Sequence, residues 1–257
     1  MRRPIVFVTD YGRTDTYAAA LVGAAWRAVP DIRCVDGTHE VPPGGILAGA
    51  YHLKALALAF DFQVVLCAVV DPGVGTARRA IAVELPNHVA CVAPDNGLVS
   101  YLWGETPPPL RRAVELLVPL DISATFHGRD VFAPAAAELA SGSRLDDVGA
   151  PTDDILTLDE AFAQREFGQL RGRVAVVDHF GNAITTIRDV DIGGSSVTRV
   201  SWEGGATERM VRTYDDIGDG IAALIGSAGH LEVAARGQAA TEHGGPAAHA
   251  EVTVELL

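Results

Sequence analysis

The sequence predicts an α/β N-terminal domain on a largely parallel sheet, followed by a small antiparallel β domain. Three observations predict it. Short β-rich runs alternate with helical stretches through the first half, strands dominate after about residue 150, and a polar stretch separates the two regimes. Residues 4–9 (PIVFVT) are a near-continuous apolar run, as a strand covered on both faces requires. Residues 14–29 read as an alanine-rich helix stopped by Pro30. A strand at 32–35, a helix over 46–60 and an apolar strand at 64–70 follow. Strands at 80–85 and 88–93 join through Pro86-Asn87, and a helix is expected over 131–140. The polar stretch 150–159 and a weak helix through Phe167 read as a connector. Beyond it, strands are expected at 173–177, 183–187, 197–202, 208–212, 231–235 and 251–256. Glycine pairs such as Gly193-Gly194, Gly204-Gly205 and Gly244-Gly245 mark turns between them. That rhythm fits a sandwich or a barrel. The predicted division is 1–155, a connector at 156–170, and 171–257.

Composition narrows the function classes. The chain has 257 residues, of which 48% are hydrophobic, so it has the means to bury a core and is not intrinsically disordered. Its formal net charge is -13, with no basic run, which disfavours nucleic-acid backbones and anionic membrane surfaces alike. The opening MRRPIVFVTDYG has a basic start before an apolar run. The run is too short for a signal peptide, and Asp10 and Arg13 close it. No stretch approaches the roughly 20 apolar residues of a membrane span. Cys34, Cys67 and Cys91 are odd in number and sit in apolar runs, so we expect buried, reduced thiols in a cytoplasmic protein.

Four polar clusters lie where strands end, the place where open α/β sheets bind ligands. The first is Thr9-Asp10-Tyr11-Gly12-Arg13-Thr14-Asp15. Asp10 and Asp15 read either as site carboxylates or as a turn-ordering residue and a helix cap. The second, Asp71-Pro72-Gly73-Val74-Gly75-Thr76-Ala77-Arg78-Arg79, is a narrow loop that can return Arg78 to Asp71. It is either a structural staple or a rigidly held reactive carboxylate. The third, Thr125-Phe126-His127-Gly128-Arg129-Asp130, opens the helix expected at 131–140; its histidine is structural or catalytic. The fourth is Asp178-His179-Phe180-Gly181-Asn182. It is a hairpin turn, or a carboxylate, aromatic face and amide suited to a ribose diol and a purine. His39-Glu40 and His243-Gly244-Gly245-Pro246 lack HExxH or Cys/His spacing, so no metal is assigned.

The strings TDYGRTDTY, VVDPGVGTARR, APDNGL, FHGRDVFAP, VDHFGN and GSAGHLEVA, in this order through nearly the whole chain, resemble the S-adenosyl-L-methionine (SAM) hydrolases. These are also called SAM hydroxide adenosyltransferases (the DUF62 family) and are related to the fluorinase and chlorinase. The resemblance implies a doubly wound N-terminal domain, a small barrel-like C-terminal domain, and a homotrimer with sites at subunit interfaces. It implies that Asp71, Arg78 and His127 position and activate water. It further implies that Asp10 grips the ribose hydroxyls, that Asp15 and Tyr17 face the methionine end, and that Asp178, Phe180 and Asn182 form a C-domain wall. Tyr214 and Ser227 fall at further substrate-contacting positions, and the backbone at Gly237 meets adenine. Two positions depart from the family pattern: Gly44, where relatives often carry an aromatic residue, and Arg236, where they have asparagine.

The implied reaction is attack of water on the ribose C5′, releasing adenosine and L-methionine. A sulfonium departs as a neutral thioether, so neither a metal, a cofactor nor a general acid is required. The halogenase alternative is disfavoured by Asp71, whose carboxylate would repel a halide, and by the absence of the fluorinase insertion between residues 80–85 and PDNGL. A non-catalytic SAM or adenosine sensor would have no need of Asp71, Arg78 and His127 together.

Overall fold

A computed structural model describes residues 2–60 and 63–257. The chain divides into two compact units, residues 1–157 and 158–257. Unit 1 carries seven strands: β1 (Ile5–Thr9), β2 (Cys34–Thr38), β3 (Val64–Val69), β4 (Ala80–Glu84), β5 (Val89–Pro94), β6 (Arg112–Leu116) and β7 (Gly149–Thr152). Its main helices are α1 (Tyr17–Ala28), α2 (Ile46–Ala59), α3 (Ser100–Gly104) and α4 (Ala133–Ser141). The sheet order is β2-β1-β3-β5-β4-β6-β7. Pairing is parallel across β2-β1-β3-β5 and antiparallel through β4, β6 and β7.

Every residue of β1, β3 and β5 is buried, as the unbroken apolar runs demand of strands covered on both sides. On one face α1 and α4 bring Leu21, Ala24, Ala25, Ala133, Ala136 and Ala137 against Ile5, Phe7, Val65, Cys67 and Val92. Alanine at these positions lets helices sit close to the sheet. The other face receives α2. A Cβ on Gly49 would lie 2.6 Å from Leu98 Cδ1 and 3.2 Å from Val70 Cγ2, so the helix approaches through its missing side chain. The helices thus cover both faces, as in a doubly wound α/β fold.

The named strands of unit 2 pair antiparallel: β8 (Gln164–Glu166), β9 (Gln169–Val177), β10 (Ala183–Arg188), β11 (Val197–Trp202), β12 (Gly205–Thr207), β13 (Ile221–Ile225), β14 (His230–Ala235) and β15 (Glu251–Leu256). Their order is β12-β11-β15-β9-β10-β14-β13, with β8 beside β9. The two ends of this path meet. Thr207 Oγ1 donates to Ile221 O at 3.2 Å, and Ala223 N donates to Arg209 O at 2.9 Å. A nearly closed barrel results, filled by Leu170, Val174, Ile187, Leu231, Val233, Val252 and Val254.

Several elements differ from the sequence reading. The weak helix expected up to Phe167 is a 3-10 turn (Asp159–Ala161) followed by β8. Phe167 and Gly168, at φ 44° and 82°, make the two-residue turn into β9, since positive φ at both positions matches the twist of a hairpin. The strand expected at 208–212 makes only the isolated bridge Met210–Ala223 at the barrel seam. The helix expected from 131 begins as a π-turn over Gly128–Phe132. Strands β6, β7, β12 and β13 were not expected from the sequence. β7 (GAPT) contains Pro151, which an edge strand tolerates because that side of the ladder is unpaired.

Because α2 touches Val70 through Gly49, Gly49→Val should overpack the sheet beside Asp71. Thermal melting should show a loss of about 1–3 kcal/mol in stability; an unchanged melting temperature would refute the close approach.

Candidate active site

Asp71 follows β3, and the Asp71–Arg78 loop turns back on itself. Val74 N donates to Asp71 O at 3.2 Å and Thr76 N to Gly73 O at 3.1 Å. Gly75 has φ 77°, and a Cβ there would lie 2.4 Å from Ala124 O, so glycine is required twice over. The turn delivers Arg78 to Asp71. Arg78 Nε donates to both carboxylate oxygens at 3.0 and 3.1 Å, and Nη2 reaches Oδ2 at 2.5 Å. The same Nη2 donates to His127 Nδ1 at 2.9 Å. Side-chain exposure is 9% for Arg78 and 5% for Asp71, so the charges face each other with little water between. The guanidinium also lies 5.1 Å from the centre of the Phe132 ring.

His127 stands directly before the π-turn, an irregularity common at functional sites. Asp130 fixes this corner by accepting from Ser123 N at 3.1 Å and pairing with Arg129, whose guanidinium holds the Asp130 carboxyl below its usual range. Burial, then the Arg78 cation, lowers the His127 pKa; Asp71 and Asp130 oppose this. A guanidinium only donates, so Nδ1 must accept. His127 is therefore neutral at pH 7 with its proton on Nε2.

Three aromatic rings flank this cluster. Tyr17 lies 5.4 Å from Phe126, and Tyr11 lies 5.8 Å from each. A Cβ at Gly128 would fall 2.3 Å from the Tyr11 hydroxyl, so Gly128 makes room for it. Burial pushes the Tyr11 phenol pKa up, with Cys67, Asp10 and Asp71 adding to the effect. Asp10 accepts from Gly44 N at 2.8 Å. Asp15 is exposed and caps nothing: α1 starts at Tyr17 without a side-chain cap. Asn96, from PDNGL, donates to Val70 O at 2.9 Å and so ties down the residue before Asp71.

In unit 2 the loop between β9 and β10 is organised by Asp178. Its Oδ1 accepts from Phe180 N and Asn182 N, both at 2.9 Å, and its Oδ2 from Asn182 Nδ2 at 3.0 Å. Gly181, at φ 81°, rests on Ala239. Asn182 is buried while Phe180 is 74% exposed. Tyr214 donates its hydroxyl to Glu232 Oε2 at 2.7 Å. Glu232 Oε1 occupies the space a side chain on Gly226 would need, beside exposed Ser227. Burial raises the Glu232 pKa, the Tyr214 hydroxyl opposes this, and Asp178 adds to the rise. Thus Tyr214, Asp178 and Gly226 lie close to Glu232. Gly237 sits in the turn after β14 at φ 66°, next to Arg236, which pairs with Asp215 at 2.5 Å.

Residues 5–149 match the family model described as the SAM hydroxide adenosyltransferase N-terminal domain, and residues 172–253 match its C-terminal domain. The chain belongs to the SAM hydroxide adenosyltransferase family. It is 39% identical over 255 residues to the (R)-S-adenosyl-L-methionine hydrolase of Thermus thermophilus, covering 93% of this chain and 94% of that protein. A fluorinase from an Actinoplanes species is 28% identical, with 90% of each chain covered. The crystal structure of an uncharacterized conserved protein from Thermotoga maritima superposes with a TM-score of 0.86 at 30% identity. That match covers 97% of this chain and 99% of that one.

Within this SAM hydroxide adenosyltransferase fold, the sequence reading singled out Asp71, Arg78 and His127, and the three are hydrogen-bonded in one chain. It passed over Glu232, Tyr11 and Phe126. Glu232 carried a signal, as the lone acid in the buried strand HLEVAA, while Tyr11 and Phe126 were hidden inside motifs read for their charged members. Among the described residues no group of three or more His, Cys, Asp or Glu side chains gathers as metal ligands. Nor is any helix among them long and apolar enough to cross a membrane.

The tautomer is open to direct test. Imidazole nitrogen shifts measured by NMR at neutral pH should show His127 Nε2 protonated and Nδ1 bare, and the reverse pattern would contradict the Arg78 contact. The folded protein binds fewer protons at His127 than the unfolded chain does. Its contribution to stability should therefore fall as pH drops from the ordinary histidine range through the lowered folded value.

Proposed function

We propose that this protein hydrolyses SAM to adenosine and L-methionine, without a metal or cofactor, using water held by Asp71, Arg78 and His127. The observation that carries the reading is the hydrogen-bonded chain of those side chains at the end of β3. The Thermus relative, with nearly the whole of both chains aligned, carries the hydrolase name.

The chemistry follows from the donor pattern. Water attacks the ribose C5′ in line with the C5′–sulfur bond, and the bonding pair leaves with sulfur as neutral methionine thioether. The attacking water loses one proton. Arg78 cannot take it, and His127 has its free lone pair committed to Arg78, so Asp71 is the acceptor. Arg78 and the His127 Nε2–H stabilise hydroxide character as it develops. Charge disappears as hydroxide meets a sulfonium, so a dry, apolar surround of Phe132, Tyr11 and Phe126 favours the step. Asp10 is read as the ribose grip and Asp15 and Tyr17 as the methionine end. Asp178, Phe180, Asn182, Tyr214, Ser227 and Gly237 are read as the adenine and ribose wall. We further propose a cytoplasmic homotrimer in which a neighbouring chain completes each site; exposed Phe180 is consistent with a surface that a substrate and second chain would cover.

The halogenase reading requires a halide beside the Asp71 carboxylate, whose side chain is 5% exposed, and like charge opposes this. Incubating the protein with SAM, EDTA and either chloride or fluoride separates the readings. Adenosine supports hydrolysis, a 5′-halo-5′-deoxyadenosine identifies a halogenase, and intact SAM with measurable binding identifies a sensor. Asp71→Asn, Arg78→Ala and His127→Ala should each lower kcat on the order of 10²–10⁴-fold while SAM affinity changes little. Near wild-type turnover by folded variants would sink the assignment. Light scattering should give a trimer at assay concentration, and an active monomer would overturn the shared site.

A further inference from the structure

The segment after β2 is bonded to the end of β1 at several points. Thr9 is fully buried and its Oγ1 lies 2.8 Å from His39 Nδ1; His39 is 1% exposed. The same hydroxyl oxygen accepts from Tyr11 N at 3.2 Å. Gly12 N donates to His39 O at 2.7 Å, and Val41 N donates to Thr9 O at 3.2 Å. Gly44 N then donates to Asp10 Oδ2 at 2.8 Å. The far nitrogen of His39, Nε2, lies 3.3 Å from Asp36 Oδ1, and Asp36 also approaches Arg13 at 3.7 Å.

The Asp36 carboxylate, 3.3 Å from His39 Nε2, favours one arrangement of protons. A carboxylate beside Nε2 favours a proton there, which leaves Nδ1 bare to accept the Thr9 hydroxyl hydrogen. Thr9 then accepts from Tyr11 and donates to His39, using its donor and one acceptor site inside the core. Bonds to Thr9 and Gly12 bracket Asp10 along the chain, and the Gly44 amide meets its carboxylate. A half-buried aspartate in an irregular loop would otherwise sample several rotamers. Here its direction is set by a segment that reaches it from a different strand.

We propose that Thr9 and His39 are positioning residues for Asp10: their buried hydrogen bond clamps the 39–44 segment to the end of β1, so that the Gly44 amide aims the Asp10 carboxylate at substrate. The proposal rests on the reading of Asp10 as the ribose grip. It assigns a polar role to two buried side chains that touch neither substrate nor the Asp71 cluster. The clamp acts on binding rather than on the attacking water, so its loss should appear in KM and in adenosine affinity, not in kcat.

Thr9→Val keeps shape and removes the hydroxyl; Thr9→Ser retains it. Two readouts are needed. Amide hydrogen exchange, followed by NMR, should accelerate at Gly12 and Gly44 in Thr9→Val and stay near wild type in Thr9→Ser. KM for SAM and Kd for adenosine should rise on the order of 3–10-fold in Thr9→Val, as for one lost neutral hydrogen bond, with kcat within about twofold. In an Asp10→Ala background the same substitution should have no further effect on adenosine binding, since the clamp acts through Asp10. Unchanged exchange in Thr9→Val overturns the proposal, as does an equal loss of affinity with and without Asp10. If wild-type protein neither hydrolyses SAM nor binds adenosine, the functional reading falls, and exchange at Gly12 and Gly44 still decides whether the clamp exists.

Discussion

The buried ion pair between Asp71 and Arg78 is the constraint on which the rest of unit 1 depends. Taking two charges out of water is expensive, and the cost is offset only when geometry is good and the remaining donors are used. Here the guanidinium meets both carboxylate oxygens, gives a further hydrogen to His127, and has Phe132 against its face. Each neighbour is adjusted to that arrangement. Gly75 lets the loop pass Ala124, Gly128 admits the Tyr11 ring, and Asn96 holds the carbonyl just before Asp71. The pair also sets the tautomer of His127, because a guanidinium only donates and Nδ1 must accept.

Unit 2 handles its buried acids by a different route. Asp178 is satisfied by backbone and amide donors of its own loop, so it shapes the presentation of Phe180 and Asn182. Glu232 has no cation partner among the described hydrogen bonds and ion pairs; it has the Tyr214 hydroxyl, and burial shifts it toward its neutral form. Unit 1 therefore sets its carboxylate against a cation, while unit 2 leaves Glu232 leaning toward its protonated form.

The family holds hydrolases and is related to fluorinases, so the shared scaffold does not by itself select the nucleophile. On the proposed hydrolase reading, the Asp71 carboxylate would favour a nucleophile that arrives neutral and oppose one that arrives as an anion.

The order of strands and helices in unit 1 was legible because apolar runs such as PIVFVT can be stable only when covered on both sides. The Asp71, Arg78 and His127 set was legible through its motifs and the glycines that force the intervening turn. Short elements were not: RAVEL, GAPT and IAALI carry too few residues to show a period, and their strand character comes from partners far along the chain. The stretch running up to Phe167 was misread as a weak helix because nothing local announces that Phe167 takes positive φ. Residue identity determined which groups could carry charge, which turns needed glycine, and which segments had to be buried. Tertiary structure alone decided that Thr9 meets His39, that Gly44 meets Asp10, and that Glu232 sits among Tyr214, Asp178 and Gly226. Those contacts join separate strands and loops, and hydrogen-bond direction depends on distances that no linear spacing encodes.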